Sequence, residues 1–171
     1  KFLRAAPNTL SVLSALTALS GLALGGCGFT LRGAPAMPFR SAALIGFTPH
    51  STLERAMREQ LRLAVPVVEA PARADVIVQA LRDARERAVV ASTAAGQVRE
   101  IQLRVRLHWR VSTPQGRVLI APTELVLTRD MSYTETAALA KEKEADQLFA
   151  AMDEDIASQV MHRLARLTMP A

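Results

Sequence analysis

Apolar and polar residues alternate strictly between residues 101 and 112. The odd positions are apolar and the even positions are polar: Ile101, Leu103, Val105, Leu107, Trp109 and Val111 against Gln102, Arg104, Arg106, His108, Arg110 and Ser112. A period of two residues is typical of a strand with one face in the core and the other in water. A turn over residues 113–116 follows, and a second strand is predicted over residues 118–133, with Pro122 as an edge or bulge residue.

Two more strands are predicted upstream of this alternation. Residues 41–47 form an apolar run that Thr48 and Pro49 stop. Residues 75–81 begin a further strand, and apolar residues resume at Val89 and Val90. Both segments are short and apolar, as expected for strands that contact a core.

Two helices are predicted from apolar residues that recur every three or four positions. The first covers about residues 51–64, opens on the capping box of Ser51 and Glu54, and ends before Pro66. The second runs from about residue 136 to 167 and would be roughly 45 Å long. Its apolar stripe consists of Leu148, Met152, Ile156, Val160, Leu164 and Leu167. The run Asp153, Glu154 and Asp155 is expected on the solvated face of this helix.

The resulting order of elements is β-α-β-β-β-α. Two amphipathic helices can bury their apolar stripes against one face of a sheet. We therefore predict an α+β fold, a two-layer sandwich with both helices on one face of a four-stranded mixed sheet. Residues 41–171 are predicted to form one domain.

The first 26 residues have the organisation of a secretory signal peptide. Lys1 and Arg4 precede an apolar run over residues 10–24, which is shorter than the roughly 20 residues that a membrane-spanning helix needs. The run ends in Leu24-Gly25-Gly26-Cys27, which resembles the bacterial lipobox. We therefore predict a lipoprotein signal peptide over residues 1–26, lipidation at Cys27, and a lipidated tether over residues 27–40.

Cys27 is the sole cysteine of the chain, and a buried thiol is the alternative interpretation. Its position directly after the apolar run favours lipidation. Gly28, rather than Asp, follows it. By resemblance to the sorting rule of Gram-negative lipoproteins, this predicts an outer-membrane location.

Composition and charge exclude several functional classes. The chain has 21 basic and 16 acidic residues, and removal of residues 1–26 leaves 19 basic residues. This bias is mild, and aromatic residues make up only 4%, so nucleic acid is not an expected partner. His50, His108 and His162 do not stand at metal-ligand spacing, and catalytic motifs are absent from the sequence. We expect no metal, no cofactor and no enzymatic activity.

A stripe of arginines lies on the polar face of the alternating strand. Arg104, Arg106 and Arg110 are on the same face, where neighbouring side chains lie about 7 Å apart. Such guanidinium groups can bind phosphates or carboxylates in a bidentate manner. The alternative is an ordinary solvated face that keeps the sheet soluble and discourages edge pairing.

Three segments of the chain resemble the LptE family of lipopolysaccharide-assembly lipoproteins. They are "CGFTLRG" at residues 27–33, "GQVREIQLRVRLHWRV" at 96–111, and "LTRDMSYTETAALAKEKEADQLFAAMDEDIASQVMHRL" at 127–164. The resemblance implies two helices on one side of a four-stranded sheet. It also implies a lipid-anchored plug on the periplasmic side of the lumen of the outer-membrane β-barrel LptD, in a 1:1 complex. Such a plug helps the barrel to assemble and helps to deliver lipopolysaccharide to the cell surface.

The resemblance also implies lipopolysaccharide-contacting residues. The family's contacting lysine falls on Lys141 through the "ALAK" match. A second basic position falls near Ala94, which is not basic, and Arg99 is expected to substitute for it. Arg129 is a third candidate, with a structural pairing beside Asp130 as its alternative. The competing function is a stand-alone periplasmic adaptor, such as a pilotin-like partner of a secretin.

Overall fold

The computed structural model describes residues 36–169. Cys27, the predicted signal peptide and most of the predicted tether lie outside the described residues. The elements are β1 (Ala42–Ile45), α1 (Thr52–Arg62), β2 (Val76–Ser92), β3 (Val98–Ser112), β4 (Val118–Ser132) and α2 (Ala138–Leu164). Short 3₁₀ turns at Pro71–Arg73 and Glu135–Ala137 precede β2 and α2. This order confirms the predicted β-α-β-β-β-α arrangement.

The four strands form one mixed sheet in the order β1-β2-β3-β4. β1 runs parallel to β2, and the pairs β2–β3 and β3–β4 are antiparallel. The outer edge of β1 is paired in part, because Ala42 N donates to Pro66 O and Val68 N donates to Ala42 O. β4 forms the other edge of the sheet.

The core lies between the sheet and the two helices. β3 contributes five fully buried side chains: Leu103, Val105, Leu107, Trp109 and Val111. They are five of the six odd-numbered residues that the alternation predicts, and the sixth, Ile101, is partly buried. The helices contribute Leu53, Met57 and Leu61 from α1 and Met152, Ile156, Val160 and Leu164 from α2, all of them fully buried. The sandwich therefore rests on the two periodicities that are visible in the sequence, two for strands and 3.6 for helices.

α1 begins at a conventional N-cap. Ser51 has an extended backbone, and its hydroxyl accepts a hydrogen bond from Glu54 N at 3.1 Å. This contact satisfies one of the amides that the first helical turn leaves without a partner. Both helices are shorter than predicted, by one to three residues at each end, because the residues that follow them form turns rather than further helix.

β2 is a continuous strand of 17 residues, whereas the sequence indicated two apolar segments. Its register against β3 shifts between Ala80 and Arg82, so Leu81 forms a bulge and is 41% exposed. Before the bulge the even residues of β2 face the helices, and after it the odd residues do, starting with Asp83 opposite Leu107. The bulge therefore turns charged residues of β2 toward α2.

Two sequence-based expectations concern single residues. Pro122 lies on the edge strand at a register shift, because Trp109 pairs with Thr123 while Val111 pairs with Ile120. This confirms its assignment to an edge or bulge. The expectation that Asp153 lies on the solvated face of α2 was wrong, because Asp153 is buried at 0% exposure against the sheet. Its charge is accommodated by an arginine of β2, as described below.

Candidate functional site

Lys141 and Arg99, two of the basic residues predicted to contact lipopolysaccharide, lie at the same end of the sheet. Lys141 Nζ donates to Ser132 Oγ, at the end of β4, at 3.1 Å. The next residue, Tyr133, donates its backbone N–H to the carbonyl oxygen of Arg99 at 2.8 Å. The sequence separates these two cations by 42 positions, and β3–β4 pairing together with the start of α2 brings them to one edge of the fold.

Lys141 is in the first turn of α2, which has no side-chain hydrogen bond at its N-cap, Ala137. The side chain of Lys141 is 19% exposed, and its ammonium also contacts Glu144 Oε2 at 2.8 Å. The N-terminal end of a helix carries partial positive charge, which disfavours a cation there and favours an anion beside it. Glu144 is the anion that compensates Lys141 in this conformation.

Arg99 borders a polar cleft of about 250 Å³ between the β2–β3 hairpin and the β4–α2 junction. The lining residues are Gln97, Val98, Arg99, Thr134, Glu135 and Thr136. Arg99 is exposed, and Gln97 accepts a long hydrogen bond of 3.4 Å from its guanidinium. The hydroxyl, amide and guanidinium groups of this cleft provide donors that suit phosphate and sugar oxygens, whereas the carboxylate of Glu135 in the same cleft opposes a phosphate.

Arg129 points away from this end of the molecule. Arg129 pairs with Leu103 across β3–β4, so its side chain is on the sheet face toward the helices. Its guanidinium donates to Asp155 of α2 at 3.0 Å. Asp155 lies 14 residues along the helix from Lys141, which corresponds to about 21 Å. Asp130 accepts a hydrogen bond from Gln102 instead. Arg129 thus joins β4 to α2, with a different carboxylate from the one that the sequence suggested.

The arginine stripe of β3 lies on the sheet face opposite the helices, where cross-strand partners accompany each guanidinium. Arg106 lies 3.4 Å from Glu124 and 3.9 Å from Glu86, and Arg104 also lies 3.9 Å from Glu86. Arg110 donates to Gln79 at 2.8 Å. The stripe is therefore part of a mixed-charge surface, and an incoming anion would have to compete with these two carboxylates.

Exposed apolar side chains surround the end that carries Lys141 and Arg99. Val89 and Val90 near the hairpin are 56% and 49% exposed, and Leu139 in the first turn of α2 is 76% exposed. Val89 pairs with Ile101, one position from the Glu100–Ser132 pair of β3 and β4. Cations and apolar side chains on the same end form an amphipathic surface.

A buried charge cluster that the sequence did not indicate connects β2 to α2. Arg85 Nη2 lies 2.7 Å from Asp153 Oδ2, and Arg85 Nη1 lies 2.9 Å from Asp83 Oδ1. The side chains of Asp83 and Asp153 are only 2% and 1% exposed. Burial raises the pKa of the Asp153 carboxyl, the nearby charge of Asp83 raises it further, and the hydrogen bond and charge of Arg85 oppose both effects.

Within residues 36–169, no helix combines the length and apolar character needed to cross a membrane. The same residues contain no cluster of three or more His, Cys, Asp or Glu side chains that could hold a metal ion.

Comparison with known proteins gives a family match over nearly the whole described domain. The family model described as "LptE: Lipopolysaccharide-assembly" matches residues 39–164. The LPS-assembly lipoprotein LptE of Pectobacterium atrosepticum is 32% identical over 150 residues, with 85% of this chain and 80% of that protein covered. The protein of the same name from Yersinia enterocolitica is 31% identical, with 90% and 75% covered.

Solved structures show the same fold. The solution structure of lipoprotein B from Nitrosomonas europaea matches with a TM-score of 0.68 at 23% identity, over 81% of this chain and 90% of that one. The crystal structure of the rare lipoprotein B from Shewanella oneidensis matches with a TM-score of 0.63 at 25% identity, over 74% and 94%.

Proposed function

The chain belongs to the LptE family of lipopolysaccharide-assembly proteins, and from this premise we propose that it plugs and helps to assemble the LptD β-barrel of the outer membrane. In that complex it assists the delivery of lipopolysaccharide to the cell surface. The protein is not an enzyme, as the family assignment indicates. The observation that carries this proposal is the family match over residues 39–164, which spans every strand and helix of the sandwich.

The shape and charge of the domain suit a position on the periplasmic side of the barrel lumen. A wide barrel has an interior that a compact body can fill, and its inward-facing side chains are polar. The outer sheet face carries arginines beside carboxylates, namely Arg104, Arg106 and Arg110 beside Glu86 and Glu124. If this face contacts the polar wall of a barrel, the charges that become buried there already have partners. A 1:1 complex follows from one domain occupying one lumen.

Lipopolysaccharide contact is assigned to the end that carries Lys141 and Arg99. Lipopolysaccharide is an amphiphile with phosphates on a sugar headgroup and with acyl chains. Two cations, a cleft lined by hydroxyl groups and exposed apolar residues such as Leu139 correspond to these two parts of the ligand. Arg129 contributes less in this proposal, because Asp155 already binds its guanidinium.

The membrane anchor is assigned to a diacylglycerol on the Cys27 sulfur. Two or three acyl chains, at about 0.8 kcal/mol per buried methylene, hold a protein stably at a membrane. Gly28 directs the lipoprotein to the outer membrane. Family membership favours this function over the alternative of a pilotin-like adaptor for a secretin.

Affinity purification of the tagged full-length protein from envelope extracts tests the proposal. We expect LptD to copurify in a 1:1 ratio, and we expect depletion of the protein to reduce both folded LptD and surface lipopolysaccharide. Cys27→Ala should abolish incorporation of labelled palmitate into the protein, which tests the lipid anchor independently of LptD binding. Normal surface lipopolysaccharide after depletion, or recovery of a secretin instead of LptD, would contradict the proposed function.

A further inference from the structure

Glu144 and Lys141 occupy neighbouring positions in the first turns of α2, and their side chains are in direct contact at 2.8 Å. We propose that Glu144 is an internal competitor that holds the Lys141 ammonium when lipopolysaccharide is absent and is displaced by a lipopolysaccharide phosphate. This inference rests on the proposed contact between Lys141 and lipopolysaccharide. It concerns a residue for which the family resemblance implies no role.

The two partners of Lys141 differ in how firmly they are held. Ser132 belongs to β4, and β3 pairs with it through the backbone at Glu100, so its hydroxyl is a fixed anchor. The side chain of Glu144 is 46% exposed, against 19% for the side chain of Lys141. Glu144 is thus the partner that can move into solvent without disturbing the sheet.

Electrostatics favour exchange of this carboxylate for a phosphate. The Lys141–Glu144 pair is part-buried on the lysine side and open to water on the Glu144 side, so water screens the attraction and the two side chains lose freedom in making the contact. A phosphate monoester carries about −1.5 to −2 charge near neutral pH, compared with −1 for a carboxylate. The positive end of α2 adds to the preference for the more highly charged anion at Lys141.

The consequence for the protein is a site that holds lipopolysaccharide briefly. Glu144 is three residues from Lys141 on the same helix, so it is always available to replace a departing phosphate. A lipid that must pass onward requires a binding site with a short residence time. Glu144 therefore lowers the affinity of Lys141 for lipopolysaccharide, while Ser132 keeps the lysine in position.

The experiment measures binding of purified lipopolysaccharide to the full-length protein in detergent solution. The variants are Glu144→Gln, Lys141→Gln and the double variant, and the matched control is Glu154→Gln. Glu154 is an exposed glutamate of the same helix that forms no ion pair within residues 36–169. It lies about 20 Å from Lys141 along the helix, and its replacement changes the net charge by the same amount.

We expect Glu144→Gln to raise the affinity about three- to tenfold over both the wild type and Glu154→Gln, mainly through slower dissociation. In the Lys141→Gln background, Glu144→Gln should have no further effect, because the competition requires the ammonium. Thermal unfolding of each variant serves as a check that the fold is retained.

Three outcomes would overturn the inference. Weaker binding by Glu144→Gln would make Glu144 a positioning residue for Lys141. An equal gain in Glu144→Gln and Glu154→Gln would reduce the effect to net charge. An unchanged affinity in Lys141→Gln would place the contact elsewhere. By contrast, a wild-type protein that binds no lipopolysaccharide would overturn the proposed lipopolysaccharide contact itself, and the variants would not be needed to show it.

Discussion

Arg85 of β2 and Asp153 of α2 form a buried ion pair across the interface between sheet and helices, with 2.7 Å between Nη2 and Oδ2. A second pair, Arg129 of β4 with Asp155 of α2, lies on the other side of the same helix. Residues two positions apart on a helix project roughly 200° from each other around the axis. α2 therefore lies over β3 between arginines of the two neighbouring strands, one pair buried and the other exposed.

Replacement of Arg85 by alanine should strongly destabilise the fold. It leaves the carboxylates of Asp83 and Asp153, which are 2% and 1% exposed, without their counter-charge. Breaking a buried ion pair by removing one partner typically costs about 3–5 kcal/mol. Because the side chain of Arg85 is itself 25% exposed, we expect the free energy of unfolding to fall by an amount near the lower end of this range. Urea unfolding, followed by the fluorescence of Trp109, the single tryptophan of the chain, measures this loss of stability.

Arg129→Ala is the matched control, because it removes the corresponding arginine from the exposed pair. The side chains of Arg129 and Asp155 are 44% and 56% exposed, so the expected loss is about 1 kcal/mol or less. Equal losses in the two variants would show that burial does not distinguish the two pairs.

The raised pKa of Asp153 predicts a specific pH dependence. Because the folded state binds this proton more tightly than the unfolded chain, Asp153 contributes most stability below its unfolded pKa of about 3.9. That contribution is lost as the pH rises through the higher folded-state pKa. The free energy of unfolding of the wild type minus that of Asp153→Asn should therefore fall with rising pH in this window and then level off. Urea titrations of both proteins at a series of pH values measure this difference in the free energy of unfolding. A difference that rises with pH would contradict the raised pKa of Asp153.

Gly46→Ala should destabilise the connection that follows β1. Gly46 has a φ of +76°, and a Cβ at this position would clash with the carbonyl oxygen of Ala80 on β2. Gly116 in the β3–β4 turn has a similar φ of +87° but open space around it. We expect more than about 2 kcal/mol for Gly46→Ala and about 1 kcal/mol for Gly116→Ala, as measured by chemical unfolding. Similar values for the two variants would mean that backbone strain, and not the contact with Ala80, decides the cost.

Ser51→Ala should remove the N-cap of α1. The Ser51 hydroxyl accepts from Glu54 N at 3.1 Å, and loss of such a cap costs about 1 kcal/mol. Ser51→Asp should retain most of the stability, because an aspartate accepts the same hydrogen bond. A loss in Ser51→Asp as large as that in Ser51→Ala would show that the cap hydrogen bond does not contribute.

Several parts of the structure can be predicted from the sequence because they depend on local periodicity. The alternation over residues 101–112 identifies β3 and its buried face, and the stripe through Met152, Ile156 and Val160 identifies the buried face of α2. Ser51 and Glu54 mark the start of α1. Each of these patterns repeats within a few residues, so the residues that set the pattern are also those that form the element.

The candidate site is only partly readable in this way. The family resemblance indicates Lys141, and Arg99 is only the nearby basic residue expected to substitute for the family's second position. The contacts of Lys141 with Ser132 and Glu144 depend on where β4 ends and α2 begins. Arg129 illustrates the same limit, since its partner is Asp155 of the helix and not the adjacent Asp130.

By itself the sequence determined the order of the elements, the buried face of β3 and the amphipathic character of both helices, because these follow from side-chain periods of 2 and 3.6 residues. Only the tertiary structure decided that Leu81 forms a bulge, that Asp83 and Arg85 consequently face α2, and that Asp153 is buried against them. A bulge arises from the register between two strands, and a buried charge is tolerated only when a partner from another element meets it. Both depend on residues far apart in the chain, and no local pattern encodes them.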